Sequence, residues 1–426
     1  MLDIKFIRDN KDLIALGAKK KHIAFNVDEL IVADDERREA LSFIEQQRAE
    51  QNAISDKIPT ITDAEERLKM ISDMKTLKTG LQAKEESYKE ILKKWQTLML
   101  QVPNIPDISV PDGDDDSGNK EVHKWGTIRD FSAETPAFVP KNHIELAEAL
   151  DMADFEKGAK VAGFRGYFLK NDGFVLNFAL WQFVFDYFVH VKKYTPMLVP
   201  SLVRRETLLG TGYLPQGEED LYKTQDGDYL AGTGEVAAMS YFADEIIPKE
   251  KFPIKIFAFS PCFRREAGSH GKDTKGLMRV HEFFKFEQVV LCEASHEESV
   301  KYHEEITKNA EEIMQLLNIP YHVVANCGGD LGLGQVKKYD IEAWIPSEGK
   351  YRETHSASYF HDFQTRRLNI RYKDTDGKTK FAHSLNCTAL PTPRPLITII
   401  ENNQQADGSI SVPEALQKYV GKAVIK

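Results

Sequence analysis

The chain has 426 residues, 42% hydrophobic and 29% charged, with a formal net charge of −10. This is an ordinary soluble composition, long enough for one large domain and an appendage. It excludes a membrane protein and, as a whole-chain sum, speaks against a polyanion binder, although a local basic stripe can hold nucleic acid whatever the total.

The most apolar run, Val175 to Val191, is interrupted by Asn177, Gln182 and Asp186 and reads as a buried helix rather than a span. No secretory or sorting signal is visible at either end, so the expected location is the cytoplasm. Cys262, Cys292, Cys327 and Cys387 are widely spaced, without a Cys-x-x-Cys pair, and are expected as core thiols rather than disulfides or zinc ligands.

In chain order, residues 28–58 and 63–100 read as two long helices. Positions 70, 74, 77, 81, 84, 88, 91, 95 and 98 of the second step by four and three and carry an apolar seam that only Lys84 breaks. The first, with Leu30, Leu41, Ile44, Ile54 and Ile58, is a weaker partner. Pro59 stops it, and Thr62 with Glu65 has capping-box spacing for the next. So short a turn forces an antiparallel hairpin of about 50 Å, either a dimerisation or spacer coil or a functional arm. The Pro-, Gly- and Asp-rich stretch that follows is a linker. The expected organisation is an N-terminal domain at 1–101, a linker at 102–120 and a second domain at 121–426.

In the second domain helical stretches (143–154, 173–192, 233–246, 296–317) alternate with β-branched and aromatic runs (254–260, 286–292, 321–325, 339–345, 367–372, 396–401). Short loops between strands favour an α+β fold, a mostly antiparallel sheet flanked by helices. Several polar groups sit where such strands should be buried. Arg264 and Glu266 follow an apolar run, and alternation places them on one strand face, either as a structural ion pair or as holders of a phosphate and an amino-bearing base. Thr233-Gly-Glu235 opens a helix, Glu287 lies in the next strand, Arg352 to Ser356 end a strand pair beginning at Tyr339, and Arg394 stands among prolines. Together they supply cations for phosphates and carboxylates for metal and ammonium, without a Walker loop or Rossmann fingerprint. The Gly328–Gly334 cluster has the wrong spacing for a phosphate loop and reads as a tight turn; His270 and His281 read as loop and core residues.

These residues also carry a family resemblance. Phe263-Arg-x-Glu266 with Phe286-Glu287 resembles motif 2 of the class II aminoacyl-tRNA synthetases, Leu390–Asn402 resembles motif 3 with Arg394 followed by an apolar helix, and Tyr194–Pro200 resembles motif 1. With MLDIKFIRDN, VPNIP, GTGYLP, EAGSHGKDTKGLMRVHEF and ENNQQADGSISVPEAL, the likeness to the seryl-tRNA synthetases runs essentially end to end.

The resemblance implies ATP-dependent attachment of L-serine to serine tRNA through seryl-adenylate, with serylation of selenocysteine tRNA as an accompanying reaction, in a homodimer whose hairpin meets the tRNA. It implies catalytic roles for Arg264, Glu353 and Arg394. ATP contacts would come from Arg264, Arg265, Glu266, Val280, Glu353, Thr354, His355, Ser356 and Arg394, and Mg²⁺ contacts from Glu353 and Ser356. Thr233, Gly234, Glu235, Arg264, Glu287 and Thr388 would form the serine pocket. Three departures stand out: Gly234 in place of the usual alanine, His355 in a Glu-Thr-His-Ser run, and Pro395 after Arg394, for which the sequence offers no reason.

Overall fold

The computed structural model describes residues 1–426 apart from His270 and Lys272, and it falls into two compact units. One holds Met1–Lys19 and Ile23–Pro103, the other Lys20–His22 and Asn104–Lys426.

In the first unit the long helices are Val27–Lys57 and Ala64–Gln101. They run antiparallel: Arg48 bonds Glu85 at 2.6 Å, and the Arg37 guanidinium lies 4.6 Å above the Trp95 ring. The seam is the expected one. Met70, Met74, Leu77, Tyr88, Ile91, Trp95 and Leu98 are half-buried, Leu81 is buried, and Lys84 is exposed. The Lys84 ammonium lies 5.7 Å from the Phe43 ring centroid, and its half-buried neighbour Glu85 pairs with Arg48. The cap differs from expectation. Asp63, not Thr62, caps the second helix, accepting from the amides of Glu65 at 2.8 Å and Glu66 at 2.9 Å. Since the helix starts at Ala64, Thr62 lies one residue too early, and a carboxylate also suits the positive helix start. Pro59 lies in a single turn of 3₁₀-helix, Ile58–Thr60.

The second unit is built on an eight-stranded sheet. Its strands are β1 (Lys120–Trp125), β2 (Thr195–Leu198), β3 (Ile254–Phe263), β4 (Glu282–Cys292), β5 (Tyr321–Ala325), β6 (Lys337–Ile345), β7 (Lys350–His361) and β8 (His383–Thr392). Their order is β1-β5-β6-β7-β8-β4-β3-β2. Every neighbouring pair is antiparallel except β2 with β3. One face is dry: Val290, Ile341, Ala357, Tyr359 and Leu385 pack there with buried residues of helices Asn171–Asp186, His296–Leu316 and Arg394–Asn402. All four cysteines are free and buried. One helical stretch, Asn171–Val191, is long and apolar enough to cross a membrane by length and composition, but Leu176, Leu180, Val184 and Phe188 lie in this core.

Two runs read as strands fold otherwise. Residues 367–372 divide between the end of a short helix, Phe363–Arg367, and a strand of a smaller sheet, Arg371–Lys373. The apolar run 396–401 is helix, as the family resemblance implied: Arg394–Asn402 begins at Arg394 and buries Leu396, Ile397, Ile399 and Ile400. Pro395 helps to explain the outcome. As the second residue of the helix it gives up an amide that has no intrahelical partner, whereas in a central strand it would break the ladder. The glycine cluster forms the β5–β6 connection as a turn, Gly328–Asp330. A Cβ on Gly328 would stand 2.1 Å from the Lys20 carbonyl oxygen, so glycine is required there.

Candidate active site

The polar face of the sheet floors a cleft of about 740 Å³. Alternation along β4 turns Phe283, Lys285 and Glu287 towards it. On β7 alternation alone would send Glu353 and Ser356 to opposite faces. A bulge prevents this: Glu342 pairs Glu353 while Ile341 pairs His355, so Thr354 has no opposite residue and both Glu353 and Ser356 face the cleft. Thr354 spends its hydroxyl on the Ile341 carbonyl at 3.0 Å.

Arg264 and Glu266 both line the cleft, but not as strand neighbours. β3 ends at Phe263, and Glu266 has φ +55, in the left-handed region, so the strand-face argument does not apply to it. Nor do the two pair. The Arg264 guanidinium lies over the Phe283 ring at 5.3 Å with its Nε 3.4 Å from the Gly232 carbonyl. Glu266 accepts instead from Arg279 Nη1 at 2.7 Å. Burial pushes the Glu266 carboxyl up, but the hydrogen bond and charge of Arg279 outweigh it and hold the group below the usual carboxylate range. Arg279 also meets Asp273 at 3.2 Å, and Asp273 meets Arg352 at 2.6 Å, which ties the loop to β7.

Arg394 opens its helix beside β7. Its Nη1 donates to the Glu353 carbonyl at 2.8 Å and lies 3.5 Å from the Glu353 carboxylate, and its Nε donates to the Met278 carbonyl at 3.1 Å. Val280, buried, lines the same end.

At the other end Glu235 is fully buried and accepts from the Tyr213 hydroxyl at 2.7 Å and the Gln364 amide at 2.6 Å. Burial, with the Glu287 charge added, pushes its carboxyl up to about 7. Glu287 forms a tight ion pair with Lys285 and accepts from Thr233 Oγ1 at 2.7 Å. Both contacts end on Oε2, so Oε1 accepts no hydrogen bond from the described residues. Thr388 is the cross-strand partner of Glu287 and lines the cleft beside it.

Three expected contact residues stand apart from the cleft. Arg265 is exposed and is not among the residues lining the cleft; its amide donates to the Asp220 carbonyl at 2.9 Å. His355 falls on the dry face, fully buried, with Nδ1 2.9 Å from Thr354 Oγ1. Burial lowers its pKa to about 4, so it is a neutral core residue and not a side-chain ligand for a nucleotide in this cleft. Gly234 sits behind Thr233, where an added Cβ would come 3.3 Å from Ser260 Oγ. His281 is half-buried, with Nδ1 2.9 Å from the Arg264 carbonyl oxygen, and His270 lies outside the described residues.

The expected Mg²⁺ contacts suit that ion. Glu353 and Ser356 offer a carboxylate and a hydroxyl, the oxygen donors Mg²⁺ takes alongside substrate phosphates. Asp340, cross-strand from Ser356, has a buried Oδ1 with no hydrogen-bond partner among the described residues. Among the described residues no group of three or more His, Cys, Asp or Glu side chains could hold a metal by itself.

Sequence reasoning passed over Lys285, Arg279, Tyr213 and Gln364. Lys285-x-Glu287 carried a usable signal, the same spacing that drew notice to Arg264 and Glu266. Arg279, Tyr213 and Gln364 reach their carboxylates only through folding.

Residues 222–403 match the model of the tRNA synthetase class II core domain (G, H, P, S and T), and residues 1–106 match that of the seryl-tRNA synthetase N-terminal domain. A serine–tRNA ligase of Deinococcus radiodurans is 43% identical over 422 residues, covering 99% of this chain and 98% of the relative. The crystal structure of seryl-tRNA synthetase from Pyrococcus horikoshii complexed with ATP superposes with a TM-score of 0.89 at 39% identity, covering 100% of this chain and 99% of that one. That of the cytoplasmic serine–tRNA ligase from Naegleria fowleri in complex with AMP gives 0.87 at 31%, with the same coverage.

Proposed function

Because the chain belongs to the seryl-tRNA synthetase family, we propose that it is an ATP-dependent serine–tRNA ligase working through seryl-adenylate. The observation that carries this is the gathering of Arg264, Glu266, Glu287, Glu353 and Arg394, far apart in sequence, around one cleft.

In the first step a serine carboxylate oxygen attacks the α-phosphorus of ATP, the bond to the bridging oxygen breaks and pyrophosphate leaves. In the second a hydroxyl of the terminal tRNA ribose attacks the seryl carbonyl carbon and AMP leaves. Both need alignment and neutralised charge more than covalent help from the protein. Arg264, over the Phe283 ring and beside the Gly232 carbonyl, meets the α-phosphate and the serine carboxylate in this reading. Glu266, fixed by Arg279, accepts from the adenine amino group, with Val280 against the nucleotide. Arg394 takes the far phosphates. Glu353 and Ser356 would hold Mg²⁺ together with ATP, and the ion would supply neutralising charge at the phosphates.

The serine ammonium meets the free Oε1 of Glu287. Lys285 stays on Oε2 and orients that carboxylate. Thr388 and Thr233 face the substrate hydroxyl, and a buried polar pocket of this kind rejects alanine because its groups would be left unpaired. The N-terminal domain, residues 1–101, is the tRNA-binding part, its hairpin reaching the long variable stem of serine tRNA. Selenocysteine tRNA, if it presents the same stem, is a second substrate.

The chain acts in the cytoplasm as a homodimer. Phe174, Phe178 and Phe185 of helix Asn171–Asp186 and Leu198 of the edge strand β2 are exposed apolar residues suited to a second copy. Serine-dependent exchange of pyrophosphate into ATP tests the proposal: exchange with serine and not with alanine is expected, and its absence in folded protein would overturn it.

A further inference from the structure

Lys21 lies at the end of helix Lys11–Lys20 in sequence but packs in the second unit. Only 3% of it is exposed. Its ammonium donates to the backbone carbonyls of Gly332 at 3.0 Å, Leu333 at 3.0 Å and Gln335 at 2.5 Å. A lysine has three N–H donors and all are used. No carboxylate pairs with it among the described residues, and burial alone pushes its pKa well down. A buried cation held only by carbonyl dipoles is a costly way to fill space, where a methionine would suffice for packing.

The carbonyls it grips belong to a wall of the cleft, formed by Gly332, Leu333, Gly334 and Gln335. The same loop is tied by Asn104, whose side chain donates to Gly334 at 3.0 Å and Phe360 at 2.8 Å. Its inner side leads to the Glu235 end of the cleft. Gln335 donates to Ser358 at 2.8 Å, and Ser358 pairs with Asn386, two residues from Thr388. Gly334 is set against Phe363, where a Cβ would come within 2.6 Å of the ring. Next to Phe363, Gln364 bonds Glu235 and the Thr211 carbonyl. Among the described residues no hydrogen bond or ion pair joins this loop to Glu266 or Arg279, whose side chains meet each other, Ser269 and Asp273.

We infer that Lys21 is a positioning residue for the amino-acid end of the site: by holding three carbonyls of Gly332–Gln335 it fixes the wall against which serine binds. This rests on the reading of the Glu235, Glu287 and Thr388 end as the serine pocket.

The test is pyrophosphate exchange by full-length Lys21→Met, with serine and ATP varied separately and folding checked by thermal melting. Loss of the clamp should raise KM for serine by roughly tenfold to a hundredfold, a small misplacement costing up to about a hundredfold, and leave KM for ATP within about twofold of wild type. A folded variant with an unchanged serine KM, or with both KM values raised alike, overturns the inference. Should Lys21→Met fail to fold, Asn104→Ala decides it: a smaller rise confined to the serine KM supports the clamp, and no selective rise refutes it. If wild-type protein shows no serine-dependent exchange, the failure lies in the pocket reading and not in the clamp.

Discussion

Glu266 accepts from Arg279 Nη1 at 2.7 Å, so the carboxylate just beyond β3 is fixed by an arginine thirteen residues later and not by Arg264 two residues before. This frees Arg264 for a ligand and fixes the group assigned to adenine. Replacing Arg279 by Met should therefore weaken nucleotide binding more than it slows chemistry. A hydrogen bond to a charged group contributes about 1.5–3 kcal/mol, so KM for ATP in the exchange assay should rise roughly tenfold or more. An unchanged ATP KM would show that Glu266 does not depend on this bond.

Arg264→Ala removes the cation that the proposal assigns to the α-phosphate and the serine carboxylate. Loss of one preorganised transition-state donor costs about a hundredfold or more in rate, and adenylate formation should fall accordingly. Near-normal exchange would mean that the arginine is misassigned.

Glu235 gives a pH signature. Its folded-state pKa is about 7 against an ordinary 4.5, so the folded chain holds this proton more tightly than the unfolded one. The stabilisation is present below pH 4.5 and is lost as pH rises towards 7, a change of about 3 kcal/mol. Glu235→Gln stays neutral throughout, and its stability relative to wild type should increase across that window. Melting temperatures of both proteins from pH 4.5 to 8 would check this, and a constant difference would contradict it.

Removing residues 28–100 should spare exchange, because every group assigned to adenylate formation lies in the second unit, while abolishing aminoacylation of serine tRNA. Aminoacylation that survives the deletion would rule out the hairpin as the tRNA-binding element.

Much of the fold was legible where one local rule governs. The seam from Met70 to Leu98 is set by helical spacing alone, and its one break, Lys84, proved to be the exposed position. Elsewhere two rules competed. Leu396 to Ile400 satisfy a strand's composition, but Pro393 and Pro395 suit a helix start, and the helix prevailed. At the site the residue types were readable and the geometry was not. Strict alternation misplaces Glu353 relative to Ser356 because it cannot foresee the bulge at Thr354, and the matched stretch 353–356 drew in His355, which the same bulge leaves on the dry face. Lys285 was missed although Lys285-x-Glu287 repeats the spacing of Arg264 and Glu266; its contact with Thr233 comes only with the fold.

The central claim is that one cleft binds the adenylate at one end and the seryl group at the other. A crystal structure with a non-hydrolysable seryl-adenylate analogue tests it most directly. The account predicts the ammonium at Glu287, the phosphate mimic at Arg264 and the adenine amino group at Glu266. An analogue bound in the opposite sense, or away from these side chains, would contradict it.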